Sequence, residues 1–177
     1  LKTKLLLSVR NDPAKLYKAK MKEKIARFVY GHADAVVFQT EDAKSWFGTI
    51  KGKSKIIYNQ VAPVFYQVER SAKDCKDIVT TGKFMSQKNH TMLMQAFCMI
   101  AKEIDDNLII YGDGKLRGEY EQFIIENDMQ GRIFIPGNCS NVAETIVENK
   151  LFVMSSDYEG MPNSLMEAMA VGMPCIS

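Results

Sequence analysis

Seven short runs of β-branched and aliphatic residues, each closed by a turn or a polar residue, leave few architectures open to this 177-residue chain. They cover residues 4–10, 34–39, 55–59, 77–82, 107–112, 132–136 and 151–155, and each reads as a strand. Most are continuously apolar, not alternating, as strands buried on both faces are. Helical spacing fills the intervals. In 89–104, Leu93, Phe97, Ile100, Ala101 and Ile104 share one apolar face. In 115–128, Leu116, Tyr120, Phe123 and Ile124 do so, with Asn127 on the same side. Residues 13–30 read as one basic helix, and 163–171 as a short helix rich in Leu, Met and Ala. Strands alternating with helices predict an α/β fold, a Rossmann-like parallel sheet flanked by helices on both faces. No internal repeat or low-complexity segment interrupts the pattern.

The segment 59–71 carries Pro63 and runs into the polar stretch 69–74, the composition of a linker between two α/β units. The expected division is therefore 1–60 and 61–177. Leu1 opens no signal peptide, and the chain stops at Ser177 inside an apolar run, so both ends suggest a piece of a longer protein. No apolar run approaches the ~20 residues that span a bilayer. The four cysteines, Cys75, Cys98, Cys139 and Cys175, form no C-x-x-C pair, and neither histidine, His32 or His90, adjoins a cysteine or a carboxylate cluster. That argues for reduced thiols in a cytoplasmic protein and against a metal site. His90 reads as a surface residue opening a helix, and His32 as a helix end. Net charge is +2, but residues 1–30 hold nine Lys and Arg against Asp12 and Glu23. Such a stretch is either a solvated helix face or a contact for an anionic membrane surface or a phosphate-bearing partner.

The strongest local signal is Ser155-Ser156-Asp157-Tyr158-Glu159-Gly160-Met161-Pro162-Asn163-Ser164-Leu165-Met166-Glu167-Ala168-Met169-Ala170. A buried strand ends, a short loop follows, and a helix begins. In open parallel sheets ligands bind beyond the carboxyl ends of the strands, where this loop lies. Gly160 permits close backbone approach, and Pro162 restricts the chain just before the helix. The amides near Asn163, Ser164 and Leu165 are unpaired donors at the positive end of a helix dipole, suited to phosphate or sugar oxygens. By spacing alone, Ser164 and Glu167 equally describe a capping box, with Glu167 closing the helix start.

Glu159 and Glu167, with seven residues between them in Tyr158-Glu159-Gly160…Leu165-Met166-Glu167-Ala168-Met169-Ala170…Gly172-Met173-Pro174, resemble the E-x7-E signature of the retaining glycosyltransferases of family 4 (glycosyl transferases group 1). Thr81-Gly82-Lys83-Phe84 and Gln87-Lys88-Asn89-His90 are similar to that family's G-R-L…Q-K-N segment. Ile110-Tyr111-Gly112-Asp113-Gly114 is similar to its G-x-G turn, and Ile57-Tyr58-Asn59 to its interdomain asparagine. The resemblance runs from about residue 34 to 177. A weaker one, in Ser8-Val9-Arg10-Asn11-Asp12-Pro13, points to members that build bacterial surface polysaccharides.

The resemblance implies a GT-B architecture of two Rossmann-like domains. Residues 1–60 would be the remnant of the acceptor-side domain and 61–177 an incomplete donor-binding domain. It further implies transfer of a hexosyl unit from a UDP- or GDP-sugar, with retention, to a glycan or lipid-linked glycan. Lys83 and Lys88 would bind the diphosphate, Lys83 standing where the family has arginine and so losing bidentate geometry. Gly82, Gly160, Met161, Asn163, Ser164 and Leu165 would complete the donor site. Glu167 would accept from the ribose hydroxyls, and Glu159 would face the donor sugar as the catalytic carboxylate. The base would lie near Pro136–Cys139. No D-x-D triplet occurs, so neither metal nor cofactor is expected, and no nucleic-acid partner. The 177 residues alone are expected to bind donor weakly and to turn over poorly. A sugar-nucleotide 2-epimerase on the same fold and a non-catalytic sugar-nucleotide-binding subunit remain the rival readings.

Overall fold

The computed structural model describes residues 3–71 and 75–177. The chain forms two compact units, Leu1–Gln60 with Tyr158–Pro162, and Val61–Asp157 with Asn163–Ser177. The five residues carrying Glu159 thus belong by contact to the first unit, not to the one that their position in the sequence suggests.

The first unit runs β1 (Leu6–Val9), α1 (Pro13–Leu16), α2 (Lys20–Gly31), β2 (Ala35–Phe38), α3 (Glu41–Phe47) and β3 (Lys53–Ile56), with parallel strands in the order β1-β2-β3. The single helix expected over 13–30 is two. Asp12 caps α1, its carboxylate accepting from Ala14 N at 2.8 Å, and Pro13 supplies the first turn. The chain leaves helical geometry at Tyr17, with φ −109° and ψ 44°. The Tyr17 ring stacks 5.7 Å from Trp46 and meets Phe47 edge-on at 6.3 Å. Aromatic packing there outweighs local helix preference. The helix α3 has signals at both ends: Thr40 Oγ1 accepts from Ala43 N at 3.1 Å, and Gly48 leaves the helix at φ 69°. The strand β3 begins before its apolar end, because pairing with β2 from Ala35–Lys53 to Phe38–Ile56 sets it, and Ile57 and Tyr58 are exposed. Val9, Val36, Phe38 and Phe47 make the core, each contributing ~1.5–3 kcal/mol by burial.

The second unit runs β4 (Lys76–Thr81), α4 (His90–Ile100), β5 (Leu108–Tyr111), α5 (Arg117–Glu126), β6 (Ile133–Gly137), α6 (Val142–Val147), β7 (Asn149–Val153), α7 (Asn163–Ala170) and β8 (Cys175–Ile176). Its strands lie in the order β6-β5-β4-β7-β8, all parallel. Neighbouring residues of β4 serve opposite faces. Ile78 packs with Leu93, Phe97, Leu108 and Ile124, while Val79 packs with Ile146, Phe152 and Ala168. Helices therefore cover both faces of this sheet, as the apolar runs predict. On α4 the apolar face is rotated from the expected one. Met94 is fully buried, whereas Ile100 is 41% exposed.

His90 is not a surface residue. It is 2% exposed, with its ring edge-on to Phe84 and Tyr120 at 5.7 and 5.8 Å. Burial, reinforced by the Lys88 charge, lowers its pKa to about 4. An unfolded histidine titrates near 6.5, so between there and about 4 only the unfolded chain takes up this proton. Stability is expected to fall as pH drops through that window, by on the order of 3 kcal/mol. Urea unfolding at pH 7 and pH 4.5 measures the loss, which should be largely absent in His90→Leu. An equal loss in that variant refutes the assignment.

Candidate functional site

The carboxyl ends of β4, β5 and β6 enclose a cavity of about 430 Å³. Gly82, Lys83, Tyr111, Asp113, Asn138 and Cys139 are among the residues that line it. Its floor depends on Gly112, which has φ 147° and where a Cβ would lie 1.9 Å from Gly82 O. Only glycine fits a backbone approach of that kind. Gly82 N–H donates to Tyr111 O at 2.9 Å and Phe84 N–H to Asp113 O at 2.9 Å, lacing the two strand ends together. Asp113 accepts from Arg117 Nε at 3.0 Å, and that guanidinium holds its carboxyl below the usual range. Cys139 Sγ lies 2.9 Å from Thr145 Oγ1, which fixes the loop after β6.

A larger cavity, of about 610 Å³, lies elsewhere, with Cys75, Asp77, Glu148 and Asn149 in its lining near the amino ends of β4 and β7. Open α/β sheets bind ligands at the opposite ends of their strands, so the smaller cavity is the candidate.

Lys88 is brought to the same place. A Cβ at Gly82 would lie 3.5 Å from Lys88 Cδ and Cε and 3.5 Å from His90 Nε2, so the lysine stem crosses over the glycine. The 3-10 turn Ser86–Lys88 and Asn89, which follows it, are fastened to the segment after β7 by hydrogen bonds. Ser155 Oγ donates to Lys88 O at 2.9 Å, Asp157 N–H to Gln87 O at 2.9 Å, and Asn89 Nδ2 to Asp157 Oδ1 at 2.7 Å. Asn89 takes a left-handed conformation, φ 47° and ψ 39°, and caps α4 by accepting from Met92 N at 3.3 Å. Lys83 is exposed beside the cavity. Sequence reasoning missed Ser155 and Asp157 as organisers of the turn. A polar pair closing an apolar strand was the available signal.

Asn163, Ser164 and Leu165 form the first turn of α7. Ser164 therefore lies one residue beyond the helix start, whereas a capping residue precedes the first turn. Among the described residues no hydrogen bond or ion pair engages the half-buried Glu167 side chain, and burial raises its pKa. Glu159, Gly160 and Met161 are held in the first unit. There Glu159 and Gly160 line a cavity of about 270 Å³ with Asp12, Thr40, Asp42 and Trp46 among others. A Cβ on Gly160 would meet Arg10 O at 2.8 Å, so the backbone sits directly on the Arg10–Asn11 segment. Among the described residues no group of three or more His, Cys, Asp or Glu is placed to hold a metal ion. None of their helices is long and apolar enough to cross a membrane.

The parallel sheets flanked by helices match the fold of solved GT-B transferases. Residues 75–177, more than half of the chain, match the model of the family described as glycosyl transferases group 1, and the chain belongs to that family. It is 30% identical to an uncharacterized glycosyltransferase of Methanocaldococcus jannaschii over 99% of this chain and 48% of the relative. It is 25% identical to the N-acetylgalactosamine-N,N'-diacetylbacillosaminyl-diphospho-undecaprenol 4-alpha-N-acetylgalactosaminyltransferase of Campylobacter jejuni over 96% of this chain and 49% of the relative. The chain thus spans about half the length of these curated relatives. The crystal structure of Anabaena HepE in complex with UDP and glucose superposes with a TM-score of 0.81 at 17% identity, covering 98% of this chain and 52% of HepE.

Proposed function

We propose that the chain is the nucleotide-sugar-binding part of a retaining hexosyltransferase that uses a UDP- or GDP-sugar and a glycan or lipid-linked glycan acceptor. The observation that carries this reading is Glu167. A half-buried carboxylate with a raised pKa and no protein partner among the described residues is a poor structural element but a good acceptor for ribose hydroxyls. Lys88, crossing Gly82, and Lys83, at the cavity rim, stabilise the diphosphate as it leaves, aided by the first amides of α7, and no metal is required. Asn138 and Cys139 place the base along the loop after β6. Glu159 holds the hydroxyls of the donor sugar.

The acceptor class is supported by the diphospho-undecaprenol in the name of the Campylobacter relative, and UDP by the ligand of HepE. A lipid-linked acceptor places the enzyme on the cytoplasmic face of a membrane. In keeping with that, α2 exposes Met21, Ile25 and Phe28 at helical spacing beside Lys20, Lys22 and Lys24.

The test is a thermal-shift panel of UDP- and GDP-sugars, followed by NMR assignment of the anomeric product. Protection by one nucleotide sugar, and a glycoside retaining the donor's configuration, are expected. Protection by none of them overturns the reading.

A further inference from the structure

A chain of hydrogen bonds in the first unit ends on the loop that carries Glu159. Gln39 follows β2, and Asn59 lies three residues beyond β3. Gln39 Nε2 donates to Asn59 Oδ1, and Asn59 Nδ2 donates to Met161 O at 3.1 Å. The Asn59 N–H also reaches Met161 Sδ at 3.3 Å. The direction is forced. A backbone carbonyl can only accept, so the Asn59 amide must turn its nitrogen to Met161 and its oxygen to Gln39. Gln39 must then present its own nitrogen, and its Oε1 is left buried without a partner. Gln39 is only 6% exposed. A buried amide held with one unsatisfied oxygen is costly, and such groups persist where something other than stability keeps them.

The other side of the loop is held by contact. Gly160 rests on the Arg10–Asn11 backbone with no room for a side chain. Glu159 therefore stands on a backbone fixed at the next two residues, once by packing and once by the amide chain.

We propose that Gln39 and Asn59 are positioning residues for Glu159, forming an amide relay that fixes the Glu159–Met161 loop in the geometry that transfer requires. The proposal rests on the function assigned to Glu159 above. Neither amide touches substrate in this scheme; both act through the Met161 carbonyl.

The experiment compares Asn59→Ala, Asn59→Asp and Gln39→Met in the full-length protein. Asn59→Asp keeps the shape and the acceptor but loses the donor to Met161, so it separates the relay from simple space-filling. If the relay positions Glu159, all three variants lose kcat by roughly tenfold to a hundredfold, because small misplacements of a reacting group cost that much. KM for the nucleotide sugar stays within about twofold, since in this scheme its nucleotide and diphosphate are held by Lys83, Lys88 and Glu167, outside the loop. Hydrogen exchange at the Gly160 and Met161 amides should accelerate in the same three variants. Parent-like kcat in Asn59→Asp, or kcat and donor affinity falling together, overturns the relay. Absence of transfer by the parent with every donor would sink the functional reading instead. Exchange then decides alone: acceleration supports the relay, and parent-like rates overturn it.

Discussion

Glu159→Gln is expected to reduce transfer roughly a hundredfold while leaving nucleotide-sugar affinity within about twofold of the parent. Glutamine preserves shape and removes charge. Charge-assisted hydrogen bonds are worth ~1.5–3 kcal/mol, which spans roughly ten- to a hundredfold in rate when the bond tightens in the transition state. Glu159 lies in the loop before α7, four residues ahead of the helix start. Initial rates across a donor series decide the matter. A raised KM with kcat intact would make Glu159 a ground-state binding residue, and unchanged kinetics would remove it from the site.

Glu167→Ala should weaken donor binding roughly ten- to a hundredfold. The same substitution should leave the unliganded protein as stable as the parent, or more so. The sign follows from the raised pKa. Burial favours the neutral acid, so ionising the group at neutral pH opposes folding, and removing it relieves that penalty. A capping role demands the reverse, a loss of about 1 kcal/mol on truncation. Melting temperatures with and without donor separate the two. Lower unliganded stability with unchanged donor protection would return Glu167 to the helix end. Donor affinity of the parent should also decline on acidification at a higher pH than an ordinary glutamate would give.

Much of this organisation was legible because burial on both faces leaves an unmistakable trace. Leu108–Tyr111 and Ile78–Thr81 could hardly be anything but inner strands, and β5 and β4 are formed there. The trace fails where a side chain obeys a distant partner. Tyr17 breaks a helical run to stack on Trp46, and His90 is drawn inward by Phe84 and Tyr120. Nothing in the neighbouring residues records either event. The site divides similarly. Gly82, Lys83 and Lys88 were visible as a pattern, and the structure gathers them at one strand end. Asp157, which ties the lysine turn to the segment after β7, and Gln39, which reaches the Met161 loop through Asn59, act across long separations that spacing cannot reveal.

Asn59 and Met161 stand 102 residues apart. On the ribosome, which adds ~5–20 residues per second, that interval lasts on the order of 5–20 s. For that time the nascent first unit has its three strands but not the segment that meets Asn59 and packs on Arg10. That segment arrives only after residues 61–157, which belong to the second unit, have been synthesised. The order of translation therefore makes maturation of the Glu159 loop a late event, and delays it until the strands that precede it in the chain are available to fold.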